Sequence, residues 1–289
     1  MSERALLIVN PGAGKRHAAD GDLAECVRLL AGAGFAIDRR DTGIDGPTSA
    51  ELAKAAVAEG FPVVIVAGGD GTVAPAAIAL IDTKTTLGIL PFGSYMNVAH
   101  GLGIPLAPID AARVIAGRKV KRCDVGDVAG KIFFETCGIG LDADAFGAAR
   151  LAERQRWGPA FRRVRRWATA TPHAVEITVD GKSERHRVLQ ILIVNSPYYG
   201  WSLPIVPRAD MTDGILDVAI FPRRSRLELI RWMAEIWRGG RPGRPPRLLR
   251  GKVIEIASDE AVPVHADGQI AGRLPITVRC RAAALRVFG

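Results

Sequence analysis

Val63-Val64-Ile65-Val66-Ala67-Gly68-Gly69-Asp70-Gly71-Thr72 decides how the rest of the chain is read. Four β-branched residues open a continuous apolar run, which predicts a strand buried on both faces, and the glycines after it end the strand in a turn. A helix is expected next. Backbone N–H groups between such a strand and helix, with no Cβ in the way, form a cradle for a phosphate, and Asp70 sets a carboxylate beside it. A phosphate next to a carboxylate suggests a metal ion between them. The competing reading is a tight βα turn in which the glycines only satisfy geometry. Glycines on both sides of an acid favour the phosphate.

Upstream, residues 5–9 read as another buried strand, followed by the Gly-rich loop Asn10-Pro11-Gly12-Ala13-Gly14-Lys15. This loop is not a Walker A, because no Gly stands five residues before Gly14 and Arg16 takes the place of Ser or Thr. Residues 22–30 have apolar positions at helical spacing, Gly32 and Gly34 stop that helix, and 35–39 form the second expected strand, with Thr42 just beyond it. Thr48 and Glu51 make a capping box for a helix reaching about residue 59. Downstream, 74–81 is expected to be helical with Pro75 in its first turn, 86–90 to be a strand, Pro91-Phe92-Gly93-Ser94 its loop, and 95–102 a helix. This alternation predicts a parallel sheet wound on both faces, with its site at the carboxyl ends of the strands. The Gly-rich turns and Thr42 all fall on that edge, where unrelated turns have no need to collect.

A short helix is expected within 105–117, and then the texture changes. Segments 131–136, 174–179, 188–194, 215–221, 252–256 and 276–281 are short, β-branched and separated by turn signals such as Asp180-Gly181, Asp213-Gly214 and Asp267-Gly268. They predict an antiparallel sandwich or open barrel. The expected fold class is α/β plus all-β: a doubly wound parallel α/β domain over residues 1–120, which residues 282–289 can rejoin, and an antiparallel β-sandwich domain over 121–281.

At 289 residues and 48% hydrophobic content the chain can build two cores. No apolar run approaches the ~18 residues of a bilayer-crossing helix, and the N-terminus lacks signal-peptide architecture, so a cytoplasmic location is expected. Cys26, Cys123, Cys137 and Cys280 show neither zinc-ligand nor disulfide-framework spacing. The net charge of +9 is unevenly placed. Residues 150–166 hold seven Arg against one Glu, and residues 223–252 hold ten basic residues against two Glu. Two such segments predict an anionic partner, a membrane surface or a nucleic acid. Nucleic acid is the poorer match, since no recognised binding module accompanies the arginines. Leu229, Ile230, Met233, Ile236 and Trp237 form one stripe at helical spacing, opposite Glu228, Arg231, Glu235 and Arg238. That pattern fits a helix packed on the core, while the nearby arginines with Trp157, Trp167 and Trp232 favour a membrane interface.

With these residues in view, nearly the whole chain resembles the diacylglycerol kinase and sphingosine kinase superfamily, in particular its compact bacterial lipid kinases. The matching pieces occur in order: Asn10-Pro11 with Gly14, Gly68-Gly69-Asp70-Gly71-Thr72, Pro91-Phe92-Gly93-Ser94, Cys123-Asp124-Val125-Gly126, Asn195-Ser196-Pro197-Tyr198-Tyr199-Gly200, Asp213-Gly214-Ile215-Leu216-Asp217 and Asp267-Gly268-Gln269. The resemblance implies an ATP- and Mg²⁺-dependent kinase of diacylglycerol or a related lipid alcohol, peripherally bound to an anionic membrane; a homodimer is left open. It implies that Asn10, Thr42, Gly68, Gly69, Gly71, Thr72 and Ser94 hold ATP. Asp70 and Asp124 then serve the catalytic metal and its waters, and Asp267 is the base that takes the acceptor proton. Asp213, with the carbonyls of Asp210 and Ile215, corresponds to a second Mg²⁺ site.

The chain departs from the family pattern in three places. Gly93-Ser94-Tyr95-Met96-Asn97 stands where the family usually reads Gly-Thr-Gly-Asn-Asp, Gln269 replaces a common Glu, and Ala74-Pro75 replaces Asn-Glu. Two further readings therefore stand beside the kinase: a lipid-binding or lipid-sensing homologue weakened in catalysis, and a soluble-metabolite kinase of the NAD kinase type.

Overall fold

Six successive apolar residues with no polar break can only be a strand covered on both sides, and β3 (Val63–Gly68) is buried along its entire length. In the computed structural model, which describes residues 2–12, 20–43, 45–93, 96–140, 171–199, 203–222, 231, 234–235 and 246–289, it lies between β1 (Glu3–Val9) and β4 (Thr86–Pro91). On the far side of β1 runs β2 (Phe35–Asp41), and all four strands are parallel. The helices between them are α1 (Asp20–Gly32), α2 (Ser49–Ala58) and α3 (Asp70–Ala79); α4 (Asn97–Gly101) and α5 (Pro108–Ala116) follow β4. The β1-to-β2 connection moves in the opposite direction from the next two, so right-handed crossovers place α1 on one face and α2 with α3 on the other. Packing of α1 against α5 and of α2 against α3 fits that division.

The capping box forms as read: Thr48 Oγ1 accepts from Glu51 N at 3.2 Å, and the Glu51 carboxylate accepts from Thr48 N at 2.8 Å. Helix α3 differs from its expectation. It begins at Asp70, four residues early, so Pro75 falls in the second turn. The helix tolerates it because the missing N–H would have served the carbonyl of Gly71, which is exposed and can turn to water. The helix expected over 95–102 shrinks to α4, whose N-cap Met96 has φ 51°.

The chain forms two compact units, Met1–Asp124 with Ala282–Gly289, and Val125–Tyr199 with Leu203–Arg281. It passes between them within two strands, β5 (Val120–Val128) and, at the C-terminus, β17 (Ile276–Phe288). The end of β17 adds to the first unit's sheet in parallel with β4, Arg286 beside Thr86 and Val287 beside Leu87.

The second unit is antiparallel. Its remaining strands are β6 (Lys131–Phe133), β7 (Thr136–Gly140), β8 (His173–Val179), β9 (Lys182–Val194), the small pair β10 (Tyr198–Tyr199) and β11 (Leu203–Pro204), β12 (Leu216–Pro222), β13 (Arg247–Gly251), β14 (Val253–Ala257), β15 (Pro263–Ala266) and β16 (Gln269–Arg273). Long β9 organises them. Its first half pairs with β8, and its second half pairs with β7 on one side and β12 on the other. Ile191 and Ile193 join one core with Ile177, Val218 and Val264, while Leu192 and Val194 join another with Val206, Ala219 and Phe221. Burial on both faces explains why 191–194 is a continuous apolar run instead of an alternating one. The architecture is therefore α/β plus a β-sandwich-like domain.

Two expectations fail in this unit. The single strand expected over 131–136 is two, broken at Phe134 and Glu135. Residues 247–251, read within a basic segment, form β13. Most of the basic segments 150–166 and 223–245, with the apolar stripe Leu229, Ile230, Met233, Ile236 and Trp237, lies outside the described residues. Arg231 and Glu235 are described, and pair at 2.8 Å.

Candidate active site

The carboxyl ends of β1, β2 and β3 meet around Asn10. Thr42, just after β2, donates its backbone N–H to the Val9 carbonyl at 2.8 Å, and Asn10 donates its own to Ala67 O at 3.1 Å. The Asn10 side chain then reaches into the glycine loop. Its Nδ2 donates to Thr72 Oγ1 at 2.9 Å, and its Oδ1 accepts from Gly12 N at 2.9 Å. Asn10, Thr42 and Thr72, chosen from separate stretches of sequence, are thus brought to one sheet edge.

The glycines here serve different ends. A Cβ on Gly68 would stand 2.8 Å from Thr72 Cβ, and one on Gly93 would stand 2.4 Å from Gly69 Cα, so these three let the loops after β3 and β4 pack. Gly71 answers to neither need. Among the described residues a Cβ there would meet nothing within 4 Å, and its φ lies outside the left-handed region. Gly71 is exposed at the start of α3, where Thr72 N and Val73 N both donate to Gly69 O, at 2.8 and 2.9 Å, and the N-cap Gly69 supplies no side chain. The helix dipole at this exposed end favours an anion. Ser94 lies outside the described residues.

Asp70 holds the next loop. Its Oδ2 accepts from Asn97 N at 3.2 Å and its Oδ1 from Val98 N at 3.4 Å, capping short α4. Burial pushes the Asp70 carboxyl upward, opposed by the N–H groups of Asn97, Val98 and Met96. A nearby cation would favour its ionised form. Its hard oxygens suit Mg²⁺, which takes one or two carboxylates and fills its octahedron with phosphate and water. Among the described residues no group of three or more His, Cys, Asp or Glu could hold a metal alone. Asp124, 1% exposed in β5, accepts from Ala283 N at 2.6 Å. Ala283 has φ 53° and kinks β17, so Asp124 has a structural duty there.

In the second unit Asp267 lies at a tight turn, with φ 44°. Its carboxylate accepts three main-chain N–H groups: Phe134 at 2.7 Å, Glu135 at 3.0 Å and Thr136 at 2.9 Å. These bonds break the strand expected over 131–136, because the donors face a side chain instead of a ladder. Asn195 joins the same turn, its Nδ2 donating to Phe134 O at 3.1 Å. The Thr136 hydroxyl, fully buried, has no partner among the described residues. No sequence signal singles out Thr136; only its burial beside the Asp267 turn does.

The metal reading asks for the Asp213 carboxylate with the main-chain carbonyls of Asp210 and Ile215, and that carboxylate is already engaged. Asp213 Oδ1 accepts from Ile215 N at 3.1 Å, and Oδ2 pairs with Arg250. Asp210 Oδ1 accepts from both the N–H and the hydroxyl of Thr212, at 2.9 and 2.7 Å. A carboxylate already joined to a guanidinium is a poor ligand for a divalent cation.

Comparison with known proteins bears on what this arrangement is for. Residues 4–128 match the diacylglycerol kinase catalytic domain, and residues 137–289 match the YegS C-terminal NAD kinase beta sandwich-like domain. The chain is 30% identical to a diacylglycerol kinase of Mycobacterium tuberculosis over 259 residues, covering 85% of this chain and 82% of that protein. It is 26% identical over 285 residues to a Xanthomonas oryzae protein named probable lipid kinase YegS-like, covering 93% of this chain and 91% of that one. A crystal structure of a diacylglycerol kinase from Bacillus anthracis superposes with a TM-score of 0.78 at 26% identity, over 99% of this chain and 96% of that one.

Proposed function

The chain belongs to the diacylglycerol kinase family and is a lipid kinase, and from that membership we propose that it transfers the γ-phosphoryl group of ATP, with Mg²⁺, to the hydroxyl of diacylglycerol or a related lipid alcohol. Gly71 carries this reading. Its open side, at the N-terminus of α3 and next to the Asn10–Thr72 bond, suits a polyphosphate.

In this mechanism Asn10, Thr42, Thr72, Ser94 and the main chain of Gly68, Gly69 and Gly71 position the nucleotide, because phosphoryl transfer asks mostly for alignment and charge neutralisation. Asp70, with Asp124, would hold Mg²⁺, which when bound neutralises charge on the phosphates. Asp267, positioned by three main-chain N–H donors, accepts the proton of the lipid hydroxyl as the new P–O bond forms and the bond to the departing ADP breaks. Asn97 in place of a carboxylate leaves Mg²⁺ one anionic group fewer, which favours weaker metal binding over a changed reaction.

Docking on an anionic bilayer through residues 150–166 and 223–252 belongs to the same proposal; their charge supports it. Among the described residues no helix is long and apolar enough to cross a membrane. The test is transfer of radiolabelled phosphate from ATP to a panel of diacylglycerol, sphingoid and other lipid alcohols in mixed micelles, with NAD as the soluble acceptor. Labelling of a lipid that Asp70→Asn abolishes is expected. Labelling of NAD alone, or of nothing, would overturn the proposal.

A further inference from the structure

Asp217 is 1% exposed near the start of β12, and the strand register sets it opposite Arg250 of β13. A carboxylate so buried requires a cation or several donors. Arg208 supplies Nε at 3.0 Å and Nη2 at 2.9 Å, and Arg250 supplies Nε at 3.3 Å. The other arm of Arg250, Nη2, pairs with Asp213 Oδ2, so one guanidinium links the 210–215 loop to the buried carboxylate. A planar fork can bridge two carboxylates in this way; a lysine ammonium cannot copy its geometry. Two guanidinium groups against Asp213 and Asp217 leave the cluster neutral with no added ion.

A divalent cation at Asp213 would have to expel Arg250 from the carboxylate and then share the site with its charge. We propose that Arg250, braced by Arg208 through Asp217, does in this chain the work of the second Mg²⁺ that the family resemblance assigns to Asp213, Asp210 and Ile215, so that the loop is fixed by an internal cation. The proposal concerns the β unit and holds whichever lipid is phosphorylated.

Thermal unfolding of the nucleotide-free full chain tests it. The shift in Tm between chelator and saturating Mg²⁺ is expected to be equal in wild type and Asp213→Asn, because Asp213 holds no Mg²⁺. A Mg²⁺ shift in wild type that Asp213→Asn removes would overturn the proposal. In chelator, Arg250→Met is expected to lower Tm by about 4 °C or more, since a buried ion pair loses one arm. A Tm equal to that of wild type would overturn it. Should Arg250→Met fail to fold, Arg250→Lys is the second variant: it keeps the charge and loses the fork, and a measurable drop in Tm is again expected, with none contradicting the bridge.

Discussion

Asp70-Gly71 and Asp267-Gly268 look alike in the sequence and are opposites in the fold. At the first pair the glycine is required by neither backbone nor packing and faces open space, while the aspartate is raised by burial. At the second pair Gly268 has φ 72°, as a tight turn demands, and the aspartate is gripped by three N–H groups of residues 134–136. The first glycine leaves the start of α3 open among the described residues, while the second pair fixes its own surroundings. A glycine beside an acid signals a site only where the chain itself has no use for the glycine.

The sharpest contrast comes from neutralising each aspartate. Asp70→Asn is expected to lower kcat about 10³-fold, roughly 4 kcal/mol of barrier, because the metal loses its carboxylate. Its stability should change less, since asparagine removes the buried charge but keeps one oxygen for the N–H groups of Asn97 and Val98. The folded Asp70 carboxyl is raised above its unfolded value, so its favourable contribution exists at low pH and is lost as pH climbs through the folded value. At neutral pH asparagine removes a penalty, and the gap between variant and wild type should close as pH falls. Asp267→Ala should behave in the reverse sense, losing about 3 kcal/mol of stability as three main-chain donors lose their acceptor. Asp267→Asn, which keeps one acceptor oxygen, should recover part of that loss. Denaturant unfolding of the three variants would break the comparison if Asp70→Asn proved the less stable protein.

Smaller effects refine the picture. Asn97→Asp restores a carboxylate beside α4 and is expected to lower the Mg²⁺ concentration for half-maximal activity several-fold, read from a metal titration of the initial rate. Binding to liposomes should rise with anionic lipid and fall with salt; binding indifferent to both would remove the membrane role from residues 150–166 and 223–252.

Much of the first unit was legible because its signals are local. The apolar run of β3, the Thr48–Glu51 box and the glycine loops each lie within about ten residues, and pattern alone recovers them. What escaped was long-range. The break in the strand over 131–136 is imposed by Asp267, more than a hundred residues away, and the fate of Asp213 by Arg250 on another strand. Neither leaves a mark in the local sequence. The glycines were recognised as a group, but only packing separates Gly68, Gly69 and Gly93, which admit neighbours, from Gly71. Membership of the diacylglycerol kinase family, read from ordered motifs, was supported by matches across both units.

Titration of a non-hydrolysable ATP analogue, with Mg²⁺, into wild type and Gly71→Val tests the open cradle most directly. The side chain enters vacant space, so Tm should be unchanged while affinity falls at least ~30-fold, about 2 kcal/mol. Equal affinity in the two proteins would contradict the assignment of this space to the phosphates of ATP.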